Sequence, residues 1–193
     1  MELPISSPLV LASASPRRSE LLTSAGFRFS VDAADVDESP RSGENPRNYV
    51  RRIARDKARV VAERCRESGT VVLAADTTVV ADGEMLAKPE NDLDAIRMLE
   101  RLGGRVHDVL TGVVVRAGLR ELDEVVHTRV RLLPITADEI TWYVRSGEPM
   151  GKAGAYGIQG RAARFIDWIE GSWSNVVGLP VATVYRLLKE LGA

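Results

Sequence analysis

A chain of 193 residues has room for one sizeable core or two smaller ones. Its 26 lysines and arginines against 27 aspartates and glutamates leave a formal charge of −1, which argues against a general nucleic-acid binder but leaves room for a local basic pocket. The single cysteine, Cys65, can form no internal disulfide, no apolar run is long enough to span a bilayer, and Met1–Pro8 carries no basic-then-apolar leader; the expectation is a soluble cytoplasmic protein with no membrane partner.

Leu9 to Ala12 is a short apolar run between turn residues and reads as a buried strand. Ser13 and Ser15 follow. Ser15 as N-cap and Pro16 at the first helical position open a helix that Leu21, Leu22 and Ala25 carry to Gly26. Arg17 and Arg18 then stand in the first turn, where the helix dipole disfavours cations. An anion held by backbone N–H groups, serine hydroxyls and guanidinium forks accounts for that placement. Two solvated arginines at an ordinary turn account for it as well.

Phe27 to Val31 alternates like a strand, and Asp32–Asn45 is acidic and then rich in Ser, Pro, Gly and Asn, an exposed loop. Its Asp35, Asp37 and Glu38 are either solvated or metal ligands. A long helix is expected from Pro46 to about Glu67, with Val50, Ile53, Ala54, Ala58, Val61, Ala62 and Cys65 as its apolar stripe. Lys57 is the one charge on that stripe. A lone buried ammonium is costly, so Lys57 either snorkels to water or meets an anion, and beside the turn at Arg17 the anion is the preferred reading.

Thr70 to Ala75 reads as a buried central strand that Asp76 ends, placing a carboxylate where open α/β sheets put their ligand chemistry. A turn-initiating aspartate is the plainer alternative. Thr77–Val80 leads into the turn Ala81–Glu84, and Lys88 is held extended before Pro89. Asn91 caps a helix carrying Leu93, Ile96 and Leu99 and ending at Gly103-Gly104. Val106–Arg116 and Leu122–Leu133 read as a hairpin. His107 and His127 share no ligand spacing and read as structural or surface residues. Thr136 to Glu139 is a capping box opening a helix through Val144. In the glycine-dense stretch Lys152–Gly160 the backbone can approach a ligand closely, and Tyr156 and Gln159 favour a binding loop there. Phe165–Glu170 is a strand, and Val184, Leu187, Leu188 and Leu191 mark a closing helix.

Four cations (Arg17, Arg18, Lys57 and Lys88) suit a polyphosphate. Two carboxylates, Glu38 and Asp76, suit Mg2+ or Mn2+, which bind through one or two carboxylates plus the substrate's phosphates. No nucleophile is paired with a base, so water is the attacking group.

The motifs SASPRRSELL, Asp37-Glu38, IARDKA around Lys57, AADTTVV, Lys88-Pro89, HDVLTG from His107, KAGAYGIQG and NVVGLP resemble those of the Maf proteins, in order, from about Leu9 to Leu191. That family is described both as septum-formation inhibitors and as nucleoside triphosphate pyrophosphatases. The KAGAYGIQG form is similar to the branch acting on dTTP and UTP rather than on 7-methyl-GTP. The resemblance implies an α/β fold: a mixed, twisted central sheet with flanking helices, two lobes around a cleft as in the inosine triphosphatases, and one Maf-like domain over residues 1–193. It makes Asp76 the catalytic carboxylate and Arg17, Thr77 and Gln159 the substrate-selecting residues. Glu38 and Asp76 would share the divalent cation, and Arg18, Lys57 and Lys88 would hold phosphates, with Ser13 in the same substrate set. Water attack at the α-phosphorus would yield the nucleoside monophosphate and pyrophosphate; CTP and modified pyrimidine nucleotides are further candidate substrates. Gly151 stands where the family often has Asp, and Ala87 where Gly is frequent. The alternative is a non-catalytic nucleotide-binding regulator of cell division acting through a partner, although such a sensor has no need of Asp76 and Glu38 together. A homodimer is compatible with the sequence.

Overall fold

The β-branched runs become strands and the apolar stripes become helices in the computed structural model, which describes residues 7–65 and 69–193. In chain order these are β1 (Leu9–Leu11), α1 (Pro16–Ser24), β2 (Ser30–Val31), α2 (Pro46–Arg64), β3 (Val71–Ala81), β4 (Glu84–Leu86), α3 (Asp92–Leu102), β5 (Val106–Ala117), β6 (Arg120–Leu132), α4 (Ala137–Val144), β7 (Ile166–Glu170), α5 (Trp173–Val177) and α6 (Val181–Leu191). The sheet is mixed, with strand order β2-β1-β3-β5-β6-β7 and β4 paired to β3. β1 lies parallel to β2 and to β3, Leu11 opposite Val31 and Leu73. The β3–β4 and β6–β7 pairs are antiparallel.

The chain divides into two units. One comprises Met1–Asp76, Thr111–Val126 and Gly178–Ala193; the other comprises Thr77–Leu110 and His127–Val177. In the first, Val50, Ile53, Ala54, Ala58 and Val61 of α2 are fully buried, and Ala54, Ala58 and Val61 pack with Ala12, Val72, Ala74 and Val114. Gly112 on β5 makes this packing close: a Cβ there would lie 2.7 Å from the Val50 carbonyl carbon and 2.9 Å from the Arg51 nitrogen. The α2 backbone therefore rests directly on β5. Asn45 caps α2 by accepting from the Asn48 N–H, with Pro46 at the first helical position. In the second unit Val79, Met98, Leu99, Val130, Ile140 and Phe165 belong to one core.

Several elements depart from the sequence-based expectation. Asp76 does not end its strand: β3 runs for 11 residues straight through it, because Thr77, Thr78, Val79 and Val80 are all β-branched and the last three are buried. β2 shrinks to the exposed pair Ser30–Val31. α2 ends at Arg64, and the expected end at Glu67 falls in residues 66–68, outside the described residues. The segment searched for a leader likewise lies outside them up to residue 6. Leu93 is exposed, the buried face of α3 being Ala95, Met98, Leu99 and Leu102. Phe165 closes a 3-10 turn ahead of β7. Among the described residues no helix is long and apolar enough to cross a membrane.

Candidate functional site

The β1–α1 turn is built as a buried polar corner. Ser15 occupies the N-cap position without a side-chain cap bond, and Pro16 follows. Arg18 is turned inward and buried, so the solvated alternative does not hold for it. Its Nε donates to the Gly178 carbonyl at 2.8 Å and its Nη1 to the Ser13 hydroxyl at 2.9 Å. Burial works against the Arg18 charge, while the Asp76 and Glu38 carboxylates favour it. Arg17, one position earlier, is half-buried.

The loop expected to be an exposed acidic tether is fastened to α2. Tyr49 donates its hydroxyl to the Glu38 carbonyl at 2.9 Å, and Arg52 Nη2 donates to the Ser39 carbonyl at 3.1 Å. Arg52 also grips Glu44 with two parallel bonds of 2.7 Å, which hold that carboxyl down at about 2. These ties set Glu38 over the helix that carries Lys57.

Lys57 does not snorkel. Its ammonium sits 2.6 Å from Glu38 Oε1 and 2.8 Å from Asp76 Oδ1, so the anions it meets are the protein's own carboxylates. Lys57 and Asp76 are buried, while Glu38 reaches solvent. Burial pushes the Asp76 carboxyl above its usual range, and Lys57 and Arg18 oppose that shift. The same surroundings push the Tyr49 hydroxyl up to about 12, through burial and the charges of Asp76 and Glu38.

The two carboxylates that meet one ammonium thereby converge on a single cation position, which is the donor set a magnesium-like ion takes when substrate phosphates and water complete its shell. Among the described residues no group of three or more His, Cys, Asp or Glu gathers to form an all-protein metal cage. Glu38 and Asp76 are of the type and placement that fit a divalent cation.

A buried arginine, a bracketed lysine and two convergent carboxylates are thus assembled from β1–α1, the Glu38 loop, α2 and β3. The family model for Maf-like proteins matches residues 8–191. The chain belongs to the Maf family. This Maf protein is 53% identical over 184 residues to the dTTP/UTP pyrophosphatase of Myxococcus xanthus, covering 95% of this chain and 92% of that one. It is 48% identical to the dTTP/UTP pyrophosphatase of Geobacter metallireducens, across 99% and 100% of the two chains. Among solved structures it is similar to the Staphylococcus aureus Ham1 protein, at 14% identity and a TM-score of 0.45 over 65% of this chain and 71% of that one.

Of the residues singled out from the sequence, Ser13, Arg17, Arg18, Glu38, Lys57 and Asp76 of this Maf protein fall in the first unit. Thr77, Lys88 and Gln159 fall in the second, with Thr77 half-buried next to Asp76 on β3, and Lys88 and Gln159 exposed. Tyr156 is not a ligand-facing aromatic: it is buried, its hydroxyl 2.7 Å from His107 Nε2. His127 is exposed and pairs with Asp108 at 2.6 Å, so both histidines are structural or surface residues, as their spacing implied. Gly151 has φ of 72° with open space around its Cβ direction, so a side chain there would meet no neighbour but would strain the backbone. Sequence reasoning missed Tyr49, Arg52 and Gly178. All three act on or through backbone carbonyls, which no side-chain pattern announces; Arg52 also meets Glu44, eight positions earlier across a helix start.

Proposed function

We propose that the protein hydrolyses dTTP and UTP to the nucleoside monophosphate and pyrophosphate. The observation that carries this is the convergence of Glu38 and Asp76 on one cation position beside the buried Arg18, in a chain about half identical to proteins named dTTP/UTP pyrophosphatase. Asp76 takes the proton of the attacking water. Its carboxyl, raised by burial, is a stronger base than an exposed aspartate, while Lys57 and Arg18 favour its ionised form. Arg18 arrives already oriented by Gly178 and Ser13, so little order is lost when its guanidinium meets phosphate oxygens. Lys57 can exchange carboxylate for phosphate without leaving the buried face of α2. A divalent cation held by Glu38 and Asp76 would neutralise phosphate charge and lower the pKa of bound water. Arg17, Thr77 and Gln159 are assigned to substrate selection, and Lys88 to phosphate, on the family resemblance. The lone thiol of Cys65, raised by burial, suits a reducing cytoplasm.

Chromatography of dTTP and UTP incubated with the protein and Mg2+ or Mn2+ tests this reading. Monophosphate and pyrophosphate are the expected products. Diphosphate and orthophosphate would place attack at the γ-phosphorus, and nucleotide binding without turnover would favour the regulator.

A further inference from the structure

The glycine-dense segment was expected to bring backbone close to a ligand, yet two of its glycines make room for side chains of the same unit. A Cβ on Gly160 would lie 2.6 Å from Glu148 Oε2, and one on Gly157 would lie 2.9 Å from Lys152 Cε. These are the glycines that flank Gln159. The Glu148 carboxylate fills the inside of the turn. It accepts from the Arg161 N–H at 2.9 Å, from the Ala162 N–H at 3.4 Å and from the Tyr143 hydroxyl at 3.0 Å. The Tyr143 oxygen in turn accepts from the Gly157 N–H at 3.3 Å. Lys152 Nζ donates to the Glu148 carbonyl, and the Gly160 N–H closes the turn on the Gly157 carbonyl at 3.2 Å. Ile158 is buried while Gln159 projects to the exposed side.

From this geometry we infer that Glu148, with Tyr143, is a positioning residue for base selection: the pair clamps the 157–162 backbone on both sides of Gln159 and fixes where its amide points. The inference rests on the reading of Gln159 as the residue that meets the pyrimidine. Tyr143 is fully buried, its ring edge-on to Phe165 at 6.1 Å, so the clamp stands on the core of the unit. A carboxylate is needed because three donors converge on it. A glutamine would offer one acceptor oxygen and turn an NH2 group towards another donor. A flexible amide loses base discrimination before it loses phosphate chemistry, since orientation is what it contributes.

The test is steady-state kinetics of the wild type and Glu148→Gln on UTP and on GTP, with melting curves in parallel. KM for UTP is expected to rise about tenfold, with kcat changed less and the UTP-to-GTP ratio of kcat/KM reduced by a similar factor. A merely structural role lowers the active fraction alike for both substrates, so an unchanged ratio overturns the inference. Tyr143→Phe keeps the ring and removes the shared hydroxyl. It should narrow the ratio in the same direction, and it decides the matter if Glu148→Gln does not fold. A wild type that releases no pyrophosphate from any triphosphate overturns the functional reading and this inference with it. A wild type that does, beside variants with its own ratio, overturns the inference alone.

Discussion

Lys57 Nζ lies 2.8 Å from Asp76 Oδ1, in a pair whose side chains are each 9% exposed. Removing one partner of such a pair leaves a desolvated charge, whereas removing both need cost little. Lys57→Met and Asp76→Asn should each destabilise the protein, Lys57→Met the less because exposed Glu38 can turn to water and Asp76 can take up a proton. The double variant should lose less than the sum, with a coupling of about 1–3 kcal/mol by urea denaturation. Additive losses would mean the pair is not formed in solution. Asp76→Asn should also lower kcat by roughly 10²–10⁴, as expected for loss of a general base.

His107 gives the second unit a pH dependence. Burial pulls its imidazole from 6.5 down to about 4, against a smaller opposing effect of Asp108, and it stays neutral against the Tyr156 hydroxyl. Between those values the unfolded chain takes up a proton that the folded chain refuses. Stability is therefore full above pH 6.5 and falls as pH drops towards 4. The full window is worth about 3 kcal/mol at roughly 1.4 kcal/mol per pH unit. Urea denaturation at pH 7.5 and at 4.5 should show a drop about 2–3 kcal/mol larger in the wild type than in His107→Gln, which cannot titrate. Equal drops would leave His107 without this role.

The legible part of this molecule was the part written in side chains. The stripe on α2, the caps at Asn91 and Thr136, and the odd charge at Lys57 follow from spacing alone. The gathering of Arg18, Lys57, Glu38 and Asp76 was implied by the family resemblance rather than by spacing, and neither indicated that the lysine's partners would be the two carboxylates. Asp76 was misplaced to a strand end because a charged residue looks like a terminator. The β-branched residues after it outweigh that local signal once the strand is buried. Tyr156 and Gln159 among the glycines favour a binding loop in the sequence, but the space the glycines leave at 157 and 160 is taken by Lys152 and Glu148. Which atoms fill the room a glycine leaves is a tertiary fact.

Gly112 is the clearest instance. Its missing Cβ is where the Val50–Arg51 peptide of α2 lies, and backbone cannot swing aside as a side chain can. Gly112→Ala should destabilise by about 1–3 kcal/mol, the cost of overpacking a close-packed core. It should also push α2 outward and with it Lys57, so kcat/KM should fall in protein that remains folded. A melting temperature and turnover both at the wild-type level would show that the helix–strand contact has slack.

The ammonium between the carboxylates bears on metal removal. With Lys57 in place, Glu38 and Asp76 already face a positive charge, and withdrawing a divalent cation strands no uncompensated anion in the fold. Chelation should abolish turnover yet leave the melting temperature of the nucleotide-free protein almost unchanged. Lys57→Met reverses the second expectation. Its two carboxylates then lose the ammonium between them and keep Arg18 as a neighbouring charge, so a divalent cation can take the vacated position and compensate them without protonation. Any species that binds the folded chain alone stabilises it by RT ln(1 + [L]/Kd), about 2.7 kcal/mol at a hundredfold excess over Kd. Titrating Mn2+ into the Lys57→Met protein should therefore raise its melting temperature by several degrees, with little response in the wild type. The effect should vanish in Lys57→Met combined with Glu38→Gln, which removes one of the two ligands. A wild type that melts far lower after chelation would show that Lys57 does not stand in for the ion, and that the two carboxylates depend on metal to fold.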